Sequence, residues 1–401
     1  MSDRSESPLL SVILPVYNTE DYLRESLDAL VNQTLEDMEF ICINDGSSDR
    51  SLEILEEYAK KDDRFFIINN ETNLGPSICR NMALKHVNGK YVVFYDSDDI
   101  IDLDAYERLC DFADKYNQDF VLCNAVRLKD DGKVIKSILH EHSIPDKIIP
   151  KTNILEYTDF VYDTTLWNKI IRREFLESHN FQFAEGRVYQ DILFTMQMFC
   201  ASDCVGIYPD VKYYWRRRGN DTKSITQKPF STKNLKDRMF IIKNTLDVIK
   251  SDEAHKSILD AFYVKLIEID LVKFINQLDL CDDEFKELLF GRVRDFVETI
   301  PSHVFNEISS DDMIKVDLYL NKCDDSLIAL AKHQRLVKFN RQELRDKNKD
   351  LRSLNKDLKA ENKKLVKQVN SLKSKNEKLE TDCDYLKSVS GWSKYKIRHI
   401  F

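Results

Sequence analysis

Apolar residues in the first third of the chain fall into short β-branched and aromatic runs, separated by stretches in which they recur every three to four positions. LLSVIL (9–14), FICI (40–43), FFII (65–68), YVVFY (91–95) and FVLCNAV (120–126) read as strands. Between them, a helix capped by Asn18 or Thr19 carries Leu23, Leu27 and Leu30, and further helices are expected at about 51–60, from Pro76, and at about 104–116. Strands that alternate with helices and are apolar on both faces predict an α/β fold: a mostly parallel central sheet between helical layers, an architecture suited to nucleotides.

Residues of about 129–226 are less regular, with strand-like pieces, a helix expected to begin at Tyr189–Asp191, and the basic aromatic stretch YYWRRRG (213–219). FIIKNTLDVI and FYVKLIEIDLVKFINQL then show helical spacing, and 227–329 reads as a helical accessory region with no chemistry of its own. Leu344, Leu351, Leu358, Leu365, Leu372, Leu379 and Leu386 follow at intervals of seven. The positions three before them are Arg341, Asn348, Asn355, Asn362, Val369, Asn376 and Cys383. One leucine seam and one mostly asparagine seam predict a parallel coiled coil over 330–388 and hence a homodimer, the alternative being a long amphipathic helix packed on its own domain. The tail 389–401, with Trp392, Tyr395, Ile397, Ile400 and Phe401 among Lys394, Lys396 and Arg398, suits either a membrane surface or a protein partner.

A length of 401 residues implies two or three structural units. The 60 Lys+Arg against 69 Asp+Glu give a formal charge of −9, so nothing global attracts nucleic acid, and no nucleic-acid partner is expected. No apolar run approaches the roughly 20 residues of a membrane span, and MSDRSESP lacks the apolar stretch of a secretory signal. The expected location is cytoplasmic, with peripheral contact at the inner face of the membrane as an option. Nine scattered cysteines read as buried free thiols; Cys200 and Cys204 have a ligand-like separation but no companions for zinc.

Four polar segments follow predicted strands: PVYN (15–18), NDGSSD (44–49), NETNLGPSICRN (70–81) and DSDD (96–99). In an open parallel sheet these strand ends share one edge, where loops form the ligand crevice. Asp96 and Asp98, two apart in extended chain, project to one side and suit Mg²⁺ or Mn²⁺ shared with phosphate oxygens. The alternative is that these acids cap the next helix. Asp45 is placed to accept from a nucleobase N–H or to cap the helix near Ser48, and Gly46 allows a close turn. Pro15, Val16 and Tyr17 sit where the first strand ends, with Tyr17 able to stack on a base. Arg80 is placed to reach base or diphosphate; otherwise it is a surface cation.

The runs ILPVYNTEDYLRESLDALVNQTLEDMEFICINDGSSDRS, NLGPSICRN and VVFYDSDD resemble the inverting family-2-type glycosyltransferases with the GT-A fold, closely over about 9–128 and more loosely to about 226. The looser part includes WNKIIRREF (167–175), EGRVYQDILF (185–194) and YYWRRRGNDTKSIT (213–226). The resemblance implies a GT-A domain over 1–226. It implies that Asp45 reads a uracil-type base, that Asp96 and Ser97 line the sugar nucleotide, that Asp98 is the principal metal ligand, and that Glu20 borders the nucleotide pocket. The family's Glu-Asp pair at a helix start reads Gln190-Asp191 here, which makes Asp191 the implied general base, taking a proton from an acceptor hydroxyl. Trp167 is either an apolar platform for an acceptor sugar or core. Of Arg216, Arg217 and Arg218, the YYxR…S pattern favours Arg216, with Ser224, near the diphosphate.

These features imply a metal-dependent enzyme that moves a sugar from a nucleoside diphosphate donor, UDP-linked by resemblance, to a glycan or lipid-linked hydroxyl in cell-surface polysaccharide synthesis. Two rivals remain. One is a catalytically silent sugar-nucleotide-binding scaffold assembled through its coil, for which Gln190 is the argument. The other is a nucleotidyltransferase, for which the expected Gly-rich triphosphate loop is replaced by PVYN.

Overall fold

The computed structural model describes residues 7–218 and 231–398. Among the described residues ten strands form one sheet: β1 (Leu10–Val16), β2 (Met38–Asp45), β3 (Phe65–Asn70), β4 (Tyr91–Phe94), β5 (Ile100–Ile101), β6 (Phe120–Lys129), β7 (Val134–Lys136), β8 (Ile149–Thr152), β9 (Lys169–Arg172) and β10 (Val205–Arg217). Their order is β3-β2-β1-β4-β9-β6-β10-β5, with β7 on β6 and β8 on β10. Helices α1 (Glu20–Val31), α2 (Ser51–Ala59), α3 (Pro76–Ala83) and α4 (Ala105–Tyr116) alternate with the first strands. Further along come α5 (Ile138–Ser143), α6 (Arg173–His179), α7 (Gln190–Ala201), α8 (Thr232–Lys250) and α9 (Lys256–Lys265).

The expectation of a mostly parallel sheet needs correction. β3-β2-β1-β4 is parallel throughout, and β6 pairs β10 in parallel, but β9 lies between β4 and β6 and is antiparallel to both. The cause is the excursion after β6: the chain returns in the opposite sense through the apolar KIIR segment, which fills the gap between two parallel blocks. The sheet is mixed. Nothing in a four-residue run bordered by Asn168 and Arg173 distinguishes a returning strand from a loop.

Side-chain alternation sorts the β1 residues into two cores. Val12, Leu14 and Val16 join α1 (Leu23, Leu27, Leu30) and α4 (Tyr106, Leu109) on one face. Ile13 joins α3 (Cys79, Ala83) and α7 (Phe194, Met198) on the other. That second core continues without a break into the helical region, through Leu235, Phe262 and Tyr319 to Leu327 and Ala331. Accordingly the sheet with its flanking helices and the helical region form one compact unit, Met1–Ala331, and Lys332–Phe401 is a second unit. The FYVKLIEIDLVKFINQL run holds α9, then a π-helical turn Leu266–Leu271.

A single helix, Asp324–Arg398, carries the heptads. Along it Leu344, Leu351, Leu358, Leu365, Leu372 and Leu379 are all about half or more exposed. A coiled coil is therefore not shown: one chain presents the seam only. Among the described residues no helix is long and apolar enough to cross a membrane. The cysteines are free, five of them buried.

Candidate active site

The loops after β1 and β2 are laced together by side chains that the strand ends bring side by side. Asn18, at φ +49°, accepts the Ser48 N–H on Oδ1 at 2.8 Å, and the Thr19 N–H donates to Ser51 Oγ at 3.0 Å. Glu20, exposed, accepts the Arg50 N–H at 3.0 Å and so anchors the start of α2. Pro15 is half-buried, Val16 buried, and Tyr17 is 47 % exposed, its ring open for stacking.

Asp45, at the end of β2, is neither free nor a helix cap. Its carboxylate accepts the Leu74 and Gly75 N–H groups, each at 2.8 Å, and Asn70 Nδ2 at 3.1 Å, which fastens the 71–75 loop beneath it. Gly46, at φ +65°, is required twice over: a Cβ there would lie 2.7 Å from the Thr72 carbonyl carbon and 2.9 Å from the Asn73 nitrogen.

Three residues read separately from the sequence meet at one guanidinium. Arg80, 5 % exposed on α3, donates through Nη1 to Asp191 Oδ1 at 2.8 Å and through Nη2 to Asp96 Oδ1 at 3.1 Å. It also lies over the Phe183 ring at 5.6 Å. Gln190 Nε2 donates to the same Asp191 oxygen at 3.0 Å. Asp191 occupies the second position of α7, so the end of β4 and the start of α7, almost a hundred residues apart, share one cation. Burial pushes the Asp96 carboxyl up to about 6; Arg80 opposes the rise, and Asp98 and Asp191 add to it.

The rest of DSDD is held from β10. Arg218 Nε donates to Asp98 Oδ2 at 2.6 Å. Arg216 donates through Nε to the Asp98 carbonyl at 2.6 Å, through its N–H to Asp99 Oδ1 at 2.7 Å, and through Nη2 to Glu25 of α1 at 2.6 Å. Both guanidiniums lie over Tyr22, at 5.2 and 5.5 Å. Ser97 is buried, and Asp99 is fully so, with burial and then Asp98 and Asp96 raising its carboxyl well above the usual range.

Sequence reasoning passes over Arg218 in favour of Arg216 and gives Asp99 no role of its own. The signal for Arg218 was present, since period-two alternation in an extended chain puts 216 and 218 on one side and 217 on the other. Trp167 is placed in the interior, 4 % exposed and stacked on Tyr213 at 4.5 Å, with Trp215 and His140 against its other surfaces. No sugar face reaches it there. Ser224 lies outside the described residues, as do the side chains of the 389–401 tail.

Among the described residues no three His, Cys, Asp or Glu side chains are grouped to hold a metal. The pair Asp96 and Asp98 nevertheless fits a hard divalent cation in donor chemistry. Carboxylate oxygens suit Mg²⁺ and Mn²⁺, which usually complete their shells with substrate phosphates and water rather than an all-protein cage.

Acids and guanidiniums gathered at the carboxyl edge of a parallel half-sheet, with a carboxylate at a facing helix start, form one polar crevice at the edge where α/β sheets bind nucleotides. The chain matches the family described as Glycosyl transferase family 2 over residues 11–179. It is 32 % identical over 233 residues to the uncharacterized glycosyltransferase EpsJ of Bacillus subtilis, covering 57 % of this chain and 67 % of that protein. It is 29 % identical over 300 residues to the poly(ribitol-phosphate) beta-glucosyltransferase of Bacillus spizizenii, covering 73 % of this chain and 45 % of that protein. A crystal structure of S. aureus TarS 1–349 in complex with UDP-GlcNAc superposes with a TM-score of 0.66 at 25 % identity, over 82 % of this chain and 91 % of that one. The protein belongs to glycosyltransferase family 2. It spans about two thirds of the first of these curated relatives and less than half of the second.

Proposed function

We propose that the protein is an inverting glycosyltransferase that moves a sugar from a UDP-sugar to a hydroxyl of a glycan or lipid-linked acceptor in cell-surface polysaccharide synthesis. The observation that carries this reading is the Arg80 bridge, which puts Asp191 beside the acids after β4. The similarity to a poly(ribitol-phosphate) glucosyltransferase and to TarS bound to UDP-GlcNAc supports the donor and acceptor classes.

In this reading Tyr17 stacks on the base near Asp45, and Arg216 and Arg218 set the backbone and side chain of Asp98 beside the diphosphate. Asp98 and Asp96 are the residues to hold Mg²⁺ or Mn²⁺, whose chemistry there would be to offset charge on the departing diphosphate. Arg80 and Gln190 both bond Oδ1 of Asp191, which orients the carboxylate and turns Oδ2 to the acceptor. Asp191 takes the acceptor proton as that oxygen attacks the anomeric carbon on the face opposite UDP, and the C1–O bond to UDP breaks with its electron pair leaving on the diphosphate. Gln190, neutral where the family carries glutamate, serves as the second donor to the base.

The test is Asp191→Asn with a panel of UDP-sugars, UDP release being measured with and without acceptor. The variant should bind UDP as the wild type does while acceptor-dependent release falls by about 10²–10⁴-fold. Unchanged turnover would remove Asp191 from the base role. Silence of the wild type with every donor and acceptor would favour the scaffold reading.

A further inference from the structure

The segment that delivers Asp191 is gripped from two sides. On one side Asn81, beside Arg80 on α3, accepts the Phe183 N–H at 2.9 Å and donates to the Phe183 carbonyl and to Glu185, both at 3.1 Å. On the other side stands α8, the first helix of the region whose sequence shows no chemistry. Its Asp237, 1 % exposed, accepts from Arg187 Nη1 at 2.7 Å and from the Val188 N–H at 3.3 Å. Lys233, one turn earlier, donates to the same carboxylate at 2.6 Å. The next residue, Arg238, lays its guanidinium over the Tyr189 ring at 4.5 Å and pairs with Asp270, which also receives Lys265 Nζ at 3.2 Å. Asp270 belongs to the π-helical turn Leu266–Leu271, a kind of irregularity that concentrates at functional sites.

What this grip holds is strained. Tyr189 has φ +68° and ψ 20°, a left-handed conformation that a bulky residue keeps only where its surroundings dictate it. It is the N-cap of α7: the Ile192 N–H donates to its carbonyl at 3.2 Å, and Asp191 follows two residues on. The packing of Ile192 and Leu193 against Ile241 of α8 fixes the rest of that turn. Relaxation of Tyr189 to an ordinary conformation would swing the first turn of α7 and carry Asp191 off Arg80.

We propose that Asp237 and Arg238 of α8 are positioning residues for Asp191, holding the 187–189 turn in the conformation that aims the carboxylate. The proposal rests on Asp191 acting as the base. The helical region thereby belongs to the catalytic apparatus without touching substrate. A displacement of about 1 Å at a reacting group can cost 10²-fold in rate, so a loosened turn registers in turnover before it registers in binding.

The experiment uses the full chain and the UDP-sugar hydrolysed fastest among UDP-glucose, UDP-galactose and UDP-GlcNAc. Asp237→Asn keeps an acceptor for Val188 but drops the charge that holds Arg187. Arg187→Met removes the loop-side partner at a side chain 39 % exposed, and it decides the matter if the first variant does not fold. Each should lower kcat by about 10–100-fold with donor KM and UDP affinity within twofold of wild type. In an Asp191→Asn background neither should add a further loss. Unchanged kcat in both variants, or the same loss persisting in that background, would overturn the proposal. If Asp191→Asn alone leaves turnover intact while Asp237→Asn still lowers it, the base assignment itself has failed, and the two failures are told apart.

Discussion

His140 shows at the scale of one residue how burial sets a pH limit on this fold. Its ring is 1 % exposed, with Nδ1 2.9 Å from Ser137 Oγ and Nε2 3.1 Å from Thr165 Oγ1. Burial pulls it down to about 4, Asp163 opposes, and Lys169 and Arg127 reinforce. The native ring stays neutral where an unfolded histidine, with an ordinary value of about 6.5, already binds a proton. Between those values the unfolded state binds more protons, so stability rises with pH and is lost as pH falls from about 6.5 toward 4. Going from pH 7 to pH 5 should cost about 2 kcal/mol through this residue. Urea midpoints for wild type and His140→Gln at both pH values measure it: the variant's pH slope should be flatter, and parallel slopes would refute the assignment. The network around His140 also explains a limit of sequence reading. Trp167 read from sequence as a sugar platform or core, and it lies in an interior where its neighbour Lys169 is tied up by Asp163, Asn168 and the Thr165 carbonyl. Only the tertiary contacts reveal that they are structural. By contrast Asp45, Asp96 and Asp98 were legible from strand-end placement, Arg80 from the loop and helix after the third strand, and Asp191 from the resemblance, whereas their actual partners were not.

Elements divide in the same way. Strands β1 to β4 and helices α1 to α4 were legible because alternation and three-to-four spacing are local, and Pro76 at the start of α3 marks its own boundary. β9 was not, because its antiparallel pairing depends on partners 47 to 81 residues away in sequence. The long helix Asp324–Arg398 carries the strongest local period of all. Its half-exposed leucines leave a narrow apolar seam that a second copy in parallel would cover, and asparagine at alternate seam positions pairs best across a two-stranded coil while lowering stability. Replacing Asn355 and Asn362 by Val should therefore raise the thermal midpoint of the coil and loosen its two-strand specificity. Sedimentation should show dimers for wild type and a mixture of dimers and higher species for the variant. Wild-type monomers at micromolar concentration would end the dimer reading.

At the scale of the whole molecule, a boundary between two bodies coincides with a reversal of charge. Residues 332–401 hold twenty lysines and arginines and nine acids, so the acidic balance of the chain lies entirely in the first unit. That unit closes its core with Leu327 and Ala331, the last buried positions among the described residues. Every residue placed in the site, and every residue of the α8 grip, precedes that boundary. A chain ending at Ala331 keeps both of these positions. It should fold with an unchanged thermal midpoint, bind UDP equally well and keep its UDP-sugar hydrolysis rate per site. It should also sediment as a monomer, since the seam is gone. What should fall is transfer to a polymeric or vesicle-borne acceptor, because a dimer engages such a surface twice and gains by effective concentration what a single weak contact lacks. Comparing the two rates in the same preparation isolates the effect. If hydrolysis falls together with transfer, the helix completes the catalytic unit. If neither falls, joining two copies contributes nothing to acceptor capture.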